Sequence, residues 1–133
     1  MTIFIMRKRI LVIDDDKAIC WLLEKLLGKE YVVTTMTDGM EGMHWLSAGN
    51  IPDLIITDID MPNLNGFDFM KNLRRSGFFR DIPVVILSGW DNQEQRVSCL
   101  ENGAFEYMVK PFDPKDLNNI IERALRQAKE QHV

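Results

Sequence analysis

The sequence predicts a three-layer α/β domain, in which a five-stranded parallel sheet carries helices on both faces. Short apolar runs alternate with amphipathic stretches five times along the 133 residues, a rhythm typical of repeated βα units. The runs are apolar throughout, as strands buried on both faces require, and the connections between them are short. Because no internal repeat, linker or low-complexity segment breaks this rhythm, we expect a single domain over residues 1–133.

The first two βα units occupy the N-terminal part of the chain. The run Ile10–Ile13 predicts strand one, and Asp16 is the expected N-cap of a helix that ends at Gly28. Tyr31–Met36 is the expected second strand, and Gly39–Ala48 is a weaker second helix. Apolar residues of the first helix recur at helical spacing at Ile19, Leu22, Leu23, Leu26 and Leu27.

The last three units follow the same plan. Leu54–Ile56 predicts strand three, and a loop rich in helix breakers separates it from a helix over Phe67–Arg75. Pro83–Leu87 and Phe105–Val109 are the expected fourth and fifth strands, with a helix over Asn92–Leu100 between them. The last helix begins with a cap and a proline, and the residues that define it are Asp113, Pro114, Leu117, Ile120, Ile121, Ala124, Leu125 and Ala128.

The balance of charge excludes several classes of protein. Apolar residues make up 46% of the chain and charged residues 27%, the composition of a folded globular domain and not of a disordered chain. The net charge of −4 argues against binding along a nucleic-acid backbone, which needs a basic surface. We interpret the two basic clusters, Arg7–Arg9 and Arg74–Arg75, as solvated flanks.

Cysteine usage and hydropathy predict a cytoplasmic protein without membrane contact. Cys20 and Cys99 lack metal-ligand spacing, and we expect both to be free thiols in or near the core, as in a reducing compartment. The apolar start Met1–Met6 is too short for the core of a signal peptide, and no small-residue cleavage site follows it. No stretch reaches the length of a membrane span.

Polar side chains stand at the carboxyl ends of four predicted strands. Asp14 and Asp15 follow strand one, Asp58 strand three, Ser88 strand four and Lys110 strand five. In an open parallel sheet, ligands bind beyond these ends. Carboxylates gathered there repel one another unless a cation lies between them, and Mg²⁺ prefers oxygen ligands. A single aspartate is equally typical of a helix cap, but capping does not account for the full set, so the sequence predicts a Mg²⁺ site.

These residues lie in motifs that resemble the receiver domains of two-component response regulators. The resemblance runs from about Arg9 to Gln127, so we place the core of the domain at about residues 9–127. It implies a flavodoxin-like (βα)₅ fold with strand order 2-1-3-4-5, in which strands one and three are neighbours. The segments that carry it are Ile10–Asp16, Pro52–Pro62 with Gly66, Val84–Gly89 and Gly103–Phe112.

The resemblance assigns the acidic residues to phosphoryl acceptance. Asp58 is the implied nucleophile, which takes a phosphoryl group from a histidine kinase. Asp15 and Asp58 are implied to bind Mg²⁺ through their carboxylates, with the backbone carbonyl of Asp60 as a third ligand. Asp14 is implied to act through a metal-bound water or to support the ligands.

The resemblance also assigns roles around the acceptor. Lys110 is implied to place its ammonium on a phosphoryl oxygen, and its peptide bond to Pro111 is usually cis in this family. The Ser88 hydroxyl is implied to bind the phosphoryl group. Tyr107 is the implied aromatic switch, whose ring moves inward and changes the surface of helix four, strand five and helix five. A half-buried tyrosine without a switching role is the alternative for Tyr107.

Two further positions affect the lifetime of the phosphoryl group in this family. They are Asp60 and Trp90 here. A bulky Trp90 is expected to shield the group from water, and we expect slow self-dephosphorylation. His44 and His132 lie away from the predicted strand ends, so a histidine general base is not expected.

The implied partners are a histidine kinase or phosphotransfer protein and a downstream protein or output domain, and dimerisation on phosphorylation is common in the family. We expect no nucleic-acid or membrane binding by this chain and no turnover of an external substrate. A pseudo-receiver, which binds partners without phosphorylation, usually lacks the acceptor, the acidic pair or the lysine. A phosphatase of the haloacid dehalogenase type has its D-x-D motif on strand one, before a Gly-Thr pair. Here Asp58–Asp60 is followed by Met61-Pro62.

Overall fold

The computed structural model describes residues 6–131 and contains the predicted five-stranded sheet. Every neighbouring pair of strands is parallel, and the strand order 2-1-3-4-5 confirms the one that the resemblance implied. The strands are β1 (Arg9–Ile13), β2 (Val32–Met36), β3 (Leu54–Asp58), β4 (Val84–Ser88) and β5 (Glu106–Val109). The helices are α1 (Lys17–Leu27), α2 (Gly39–Ser47), α3 (Gly66–Arg75), α4 (Gln93–Glu101) and α5 (Pro114–Gln131).

Alternation along the strands divides the core into two halves, one on each face of the sheet. In β1, Ile10 and Val12 belong to the half that contains buried residues of α1 and α5. Leu11 and Ile13 belong to the half that contains buried residues of α2, α3 and α4. The predicted three layers are therefore confirmed, with two helices on one face of the sheet and three on the other.

Side-chain caps set the starts of the first four helices. The carboxylate of Asp16 accepts a hydrogen bond from the Ala18 amide, which confirms the predicted cap of α1. Asp38 and Asn65 cap α2 and α3 in the same way. Asn92 proves to be the cap of α4 and not its first helical residue. The other predicted element ends differ from the observed ones by one or two residues, the scatter usual at frayed ends.

Two predicted burial patterns need correction. Strand β2 is not buried on both faces: it lies at the sheet edge, where Val32 is 47% exposed. In α1, Leu22 and Leu26 are 37% and 38% exposed, and the buried positions are Cys20, Leu23 and Leu27. The predicted spacing covered a wider arc of the helix than the sheet covers.

Arg74 is not a solvated flank, contrary to the prediction from its Arg-Arg pair. It is half-buried, and its guanidinium donates hydrogen bonds to the backbone carbonyls of Arg80, Ile82 and Gly103 at 2.8, 2.9 and 2.8 Å. These bonds tie α3 to the segments that precede β4 and β5. Arg75 is exposed, as expected.

The remaining sequence predictions concern thiols, histidines and hydropathy. Cys20 and Cys99 are buried free thiols, as predicted. His44 is exposed on α2, whereas His132 and the apolar start Met1–Ile5 lie outside the described residues. Among residues 6–131, no helix has the length and apolar character needed to cross a membrane.

Candidate functional site

The register of the sheet brings the strand-end residues to one edge. Ile13 pairs with Thr57, so the next residues, Asp14 and Asp58, lie side by side where β1 ends. Asp58 pairs in turn with Leu87, and Ser88 pairs with Val109, which puts Lys110 one residue beyond Ser88 on the adjacent strand. Neighbouring strands are about 4.8 Å apart, so these side chains share a single small site.

Lys110 forms the electrostatic centre of this site. Its ammonium lies 2.7 Å from Oδ2 of Asp14 and 3.5 Å from Oδ1 of Asp58. Two backbone amides complete the pattern, because Asp14 Oδ1 accepts from the Asp16 amide and Asp58 Oδ1 accepts from the Ile59 amide, both at 2.9 Å. Each buried carboxylate is therefore held in place by the lysine and by the backbone of its own loop.

The position of the Asp58 carboxyl group in the site perturbs its pKa. Burial, followed by the negative charge of Asp14, raises the pKa of Asp58 to about 6, although the charge of Lys110 and the Ile59 amide oppose the change. Burial lowers the pKa of the Lys110 ammonium, but its hydrogen bond to Asp14 and the two carboxylate charges outweigh burial and leave that pKa raised. The site thus holds more negative than positive charge at neutral pH.

The donor set fits a hard divalent cation. Asp14, Asp15 and Asp58 each offer a carboxylate oxygen, and these oxygens lie within 4.8 Å of one another. Asp14 and Asp58 are buried and Asp15 is exposed, so one side of the cluster faces solvent. Mg²⁺ takes oxygen ligands and keeps several waters, and this half-open acidic cluster meets both requirements.

A glycine allows the loop after the acceptor strand to close against the site. Gly66 begins α3 against the backbone of Asp58, and a Cβ at position 66 would lie far inside contact distance of the Asp58 carbonyl oxygen. The Gly66 amide donates to the Ile59 carbonyl at 3.0 Å. Within this loop, Asn63 has a φ of 69°, a left-handed conformation that asparagine tolerates better than most residues.

Comparison with known proteins decides the family. The family profile of the response regulator receiver domain matches residues 10–122. This chain belongs to the response regulator receiver domain family. The family resemblance of the strand-end motifs is thereby confirmed.

Curated proteins and solved structures agree with this assignment. The receiver domain is 36% identical over 124 residues to the alkaline phosphatase synthesis transcriptional regulatory protein PhoP of Bacillus subtilis, a match over 92% of this chain and 50% of PhoP. It is 32% identical over 117 residues to the two-component response regulator ORR3 of Oryza sativa subsp. indica, covering 87% of this chain and 89% of ORR3. A response regulator receiver domain protein from Clostridium thermocellum superposes with a TM-score of 0.85 at 31% identity, covering 93% and 98% of the two chains.

The chain spans only part of the length of several curated relatives. It covers about half of PhoP and 46% of a probable transcriptional regulator of Guillardia theta.

Ser88 and Tyr107 form one hydrogen-bonded group beside the acidic cluster. The Ser88 hydroxyl donates to the Trp90 carbonyl at 3.3 Å and accepts from the Trp90 amide at 3.1 Å. The Tyr107 hydroxyl donates to the same carbonyl at 2.9 Å, and its ring is buried. The side-chain amide of Gln95 donates to both hydroxyls. Tyr107 is therefore fully buried, whereas the alternative without a switching role expected a half-buried side chain.

The structure brings most of the predicted site residues together. Asp14, Asp15, Asp58 and Lys110 form the acidic cluster and its counter-charge. Ser88 and Tyr107 are linked through Trp90 and Gln95. The Lys110–Pro111 peptide bond is cis, as the resemblance implied. The side chains of Asp60 and Trp90 are exposed.

Sequence reasoning missed three residues that shape the site. Gly66 appeared only as part of a motif, although its missing side chain lets α3 start against Asp58. Gln95 and Arg96 on α4 contact Tyr107, at its hydroxyl and at its backbone carbonyl. A glutamine and an arginine in a helix of mixed polarity give no signal in a single sequence, because only the packing of α4 on β5 places them there.

Proposed function

We propose that this receiver domain is the phosphoacceptor of a two-component phosphorelay and that Asp58 is the acceptor. One observation supports this above all others: Asp58 is a buried carboxylate that shares a small site with Asp14, Asp15 and Lys110. Its pKa of about 6 keeps it ionised at neutral pH, the form that acts as a nucleophile.

The proposed reaction transfers a phosphoryl group from a phosphohistidine of a kinase or phosphotransfer protein. An oxygen of the Asp58 carboxylate forms a bond to phosphorus while the N–P bond breaks, and the electron pair of that bond returns to the imidazole nitrogen of the donor. The ammonium of Lys110 lies 3.5 Å from Oδ1 of Asp58, so it would stabilise the negative charge of the transferred group. The chain is proposed to accept the group once and not to turn over an external substrate.

Bound Mg²⁺ would neutralise phosphoryl charge in this site. We propose that Asp15 and Asp58 would hold the ion through their carboxylates and that the backbone carbonyl of Asp60 would be the third protein ligand. Asp14 already accepts a 2.7 Å bond from Lys110. Its proposed role is therefore to support the ligands or to hold a metal-bound water.

The proposed output is a change in the surface formed by α4, β5 and α5. The Ser88 hydroxyl, next to the acidic cluster, would turn its proton from the Trp90 carbonyl to a phosphoryl oxygen. Tyr107 shares that carbonyl, and it lies on β5 against α4. A downstream protein or output domain, or a second copy of the phosphorylated chain, would then recognise the altered surface.

Intact-mass measurement after incubation with acetyl phosphate and Mg²⁺ tests this proposal. We expect one added phosphoryl group on the wild type, none without Mg²⁺ and none on Asp58→Ala. Asp116→Ala is the control, because it removes an exposed carboxylate of α5 that is not part of the acidic cluster and should leave the adduct in place. An adduct of equal yield on Asp58→Ala would contradict the assignment of the acceptor.

A wild type that gains no mass requires a second probe, since some receivers accept poorly from small donors. Beryllium fluoride with Mg²⁺ mimics the phosphoryl group and needs no transfer step. Failure to bind it, in protein that is folded, would reject phosphoryl acceptance and favour a pseudo-receiver that acts through protein contacts alone.

A further inference from the structure

We propose that Gln95 is a positioning residue that holds Tyr107 inward before any phosphoryl group arrives and couples the Ser88 hydroxyl to α4. The first half of this inference stands on the geometry of the described residues, and the second half rests on the proposed function. The Nε2 atom of Gln95 lies 3.3 Å from Ser88 Oγ and 3.0 Å from the Tyr107 hydroxyl. No other side chain in the described residues bonds to both hydroxyls.

A count of donors and acceptors shows that the network is closed. A glutamine amide nitrogen has two hydrogens, and Gln95 uses one for each hydroxyl. The Ser88 oxygen accepts from Gln95 and from the Trp90 amide, and its single proton goes to the Trp90 carbonyl. The Tyr107 proton goes to the same carbonyl. Among the described residues, no buried side-chain nitrogen or oxygen lacks a partner.

The closed count explains how Gln95 would transmit a change at Asp58. When the Ser88 proton turns to a phosphoryl oxygen, the serine oxygen keeps both of its acceptor bonds, including the one from Gln95. The Trp90 carbonyl then has Tyr107 as its only hydroxyl donor. Gln95 therefore stays bonded to both hydroxyls throughout, and any shift of the Ser88 oxygen is carried to α4 through its amide.

The next residue of α4 holds Tyr107 from a different side. The guanidinium of Arg96 donates to the Tyr107 backbone carbonyl at 3.0 Å and lies 5.0 Å from the centroid of the ring. Arg96 thus fixes the backbone and ring of Tyr107, whereas Gln95 fixes its hydroxyl. Among the described residues of α4, only Gln95 donates hydrogen bonds to both Ser88 and Tyr107, so it is the residue of this helix that can respond to a change at the serine.

Fluorine NMR of protein labelled with 3-fluorotyrosine tests this role. The chain contains two tyrosines, so the spectrum has a signal from Tyr107 and an internal reference from Tyr31, which packs in the core half formed with α1 and α5. Gln95→Met keeps the length of the side chain and removes its donors. Gln93→Met is the matched control, because Gln93 is an exposed glutamine at the start of the same helix.

Without ligand, Gln95→Met should shift or broaden the Tyr107 signal, while Gln93→Met and the wild type give the same spectrum. Beryllium fluoride with Mg²⁺ should return the Tyr107 signal of Gln95→Met toward the wild-type position. The affinity of Gln95→Met for beryllium fluoride should be roughly twofold to tenfold lower than that of the wild type, as expected for the loss of one hydrogen bond. A purely structural defect would not be reversed by the ligand. A ligand-free Tyr107 signal that is identical in all three proteins would overturn the proposal.

A second variant keeps the test decisive if Gln95→Met also disturbs Tyr31. Gln95→Glu offers an acceptor to the Tyr107 hydroxyl but no donor to Ser88, so Tyr107 should stay inward while beryllium fluoride binds more weakly. Wild-type affinity in Gln95→Glu would reject coupling through Ser88. If the wild type itself fails to bind beryllium fluoride, the proposed function fails, and the ligand-free spectra still decide whether Gln95 holds Tyr107.

Discussion

Replacing Asp58 by asparagine should stabilise the metal-free receiver domain at neutral pH. The change removes a buried charge that lies beside Asp14 and keeps the size of the side chain. The remaining carbonyl oxygen can still accept from the Ile59 amide, which now bonds Asp58 Oδ1 at 2.9 Å. A residue proposed to be essential for function is therefore expected to cost stability in the ligand-free state.

The size of the effect follows from the pKa of Asp58, which rises from 3.8 to about 6 in the folded protein. An acid with a raised pKa binds a proton more readily in the folded state, so the free energy of unfolding falls as the pH rises through this interval. The destabilisation is complete above pH of about 6 and amounts to about 3 kcal/mol. At pH of about 4.5 the carboxyl is mostly protonated in the folded state but still mostly ionised in the unfolded state, so about 1 kcal/mol of the destabilisation remains.

Urea denaturation in the presence of EDTA, at pH 7.5 and pH 4.5, measures this difference directly. Asp58→Asn should be more stable than the wild type at the higher pH, and its advantage should shrink at the lower pH. Asp60→Asn, which removes an exposed charge in the same loop, should show neither effect. An Asp58→Asn protein that is equal to or less stable than the wild type at pH 7.5 would show that burial and Asp14 do not strain this carboxylate.

Two further predictions concern the loop and the rim of the site. Gly66→Ala should lower the free energy of unfolding, measured by urea denaturation, by about 2 kcal/mol or more, because its new Cβ would meet the Asp58 carbonyl. The same change should slow modification of Asp58. Gly77→Ala is the control, since the space around Gly77 is open and its stability should not change. Phosphorylated wild type should lose its added mass over minutes or longer, and Trp90→Ala should lose it several-fold faster. Trp21→Ala, a change of a similarly exposed tryptophan on α1, should not alter the decay, and loss from the wild type within seconds would contradict the proposed shielding.

Much of the candidate site was predictable because it depends on the ends of strands. Apolar runs that stop at Asp14, Asp58, Ser88 and Lys110 mark the residues that a parallel sheet must bring to one edge. The order of the strands came from family resemblance, since periodicity alone does not say which strands are neighbours. Once that order is known, the register needs only the pairing of Ile13 with Thr57 to put Asp14 beside Asp58.

Helix faces were less predictable than strands. Leu22 and Leu26 fit the apolar spacing of α1, yet the sheet covers only the arc around Cys20, Leu23 and Leu27. Helix α4 gave almost no periodic signal, and its single buried residue is Cys99. Helix α4 packs beside β5 at the edge of the sheet and buries few apolar residues. Its orientation is therefore decided by contacts with the neighbouring strand and not by its own apolar pattern.

The sequence by itself determined the alternation of strands and helices, the residues at the strand ends and the Asp16 cap of α1, because each depends on near neighbours in the chain. Tertiary structure alone decided the contacts that join distant segments. The guanidinium of Arg74 donates hydrogen bonds to backbone carbonyls up to 29 residues away, and the side-chain amide of Gln95 donates to hydroxyls on two different strands. Polar side chains such as these can form hydrogen bonds with water as well as with protein groups. Only the position of their partners in the folded chain therefore gives them a structural role.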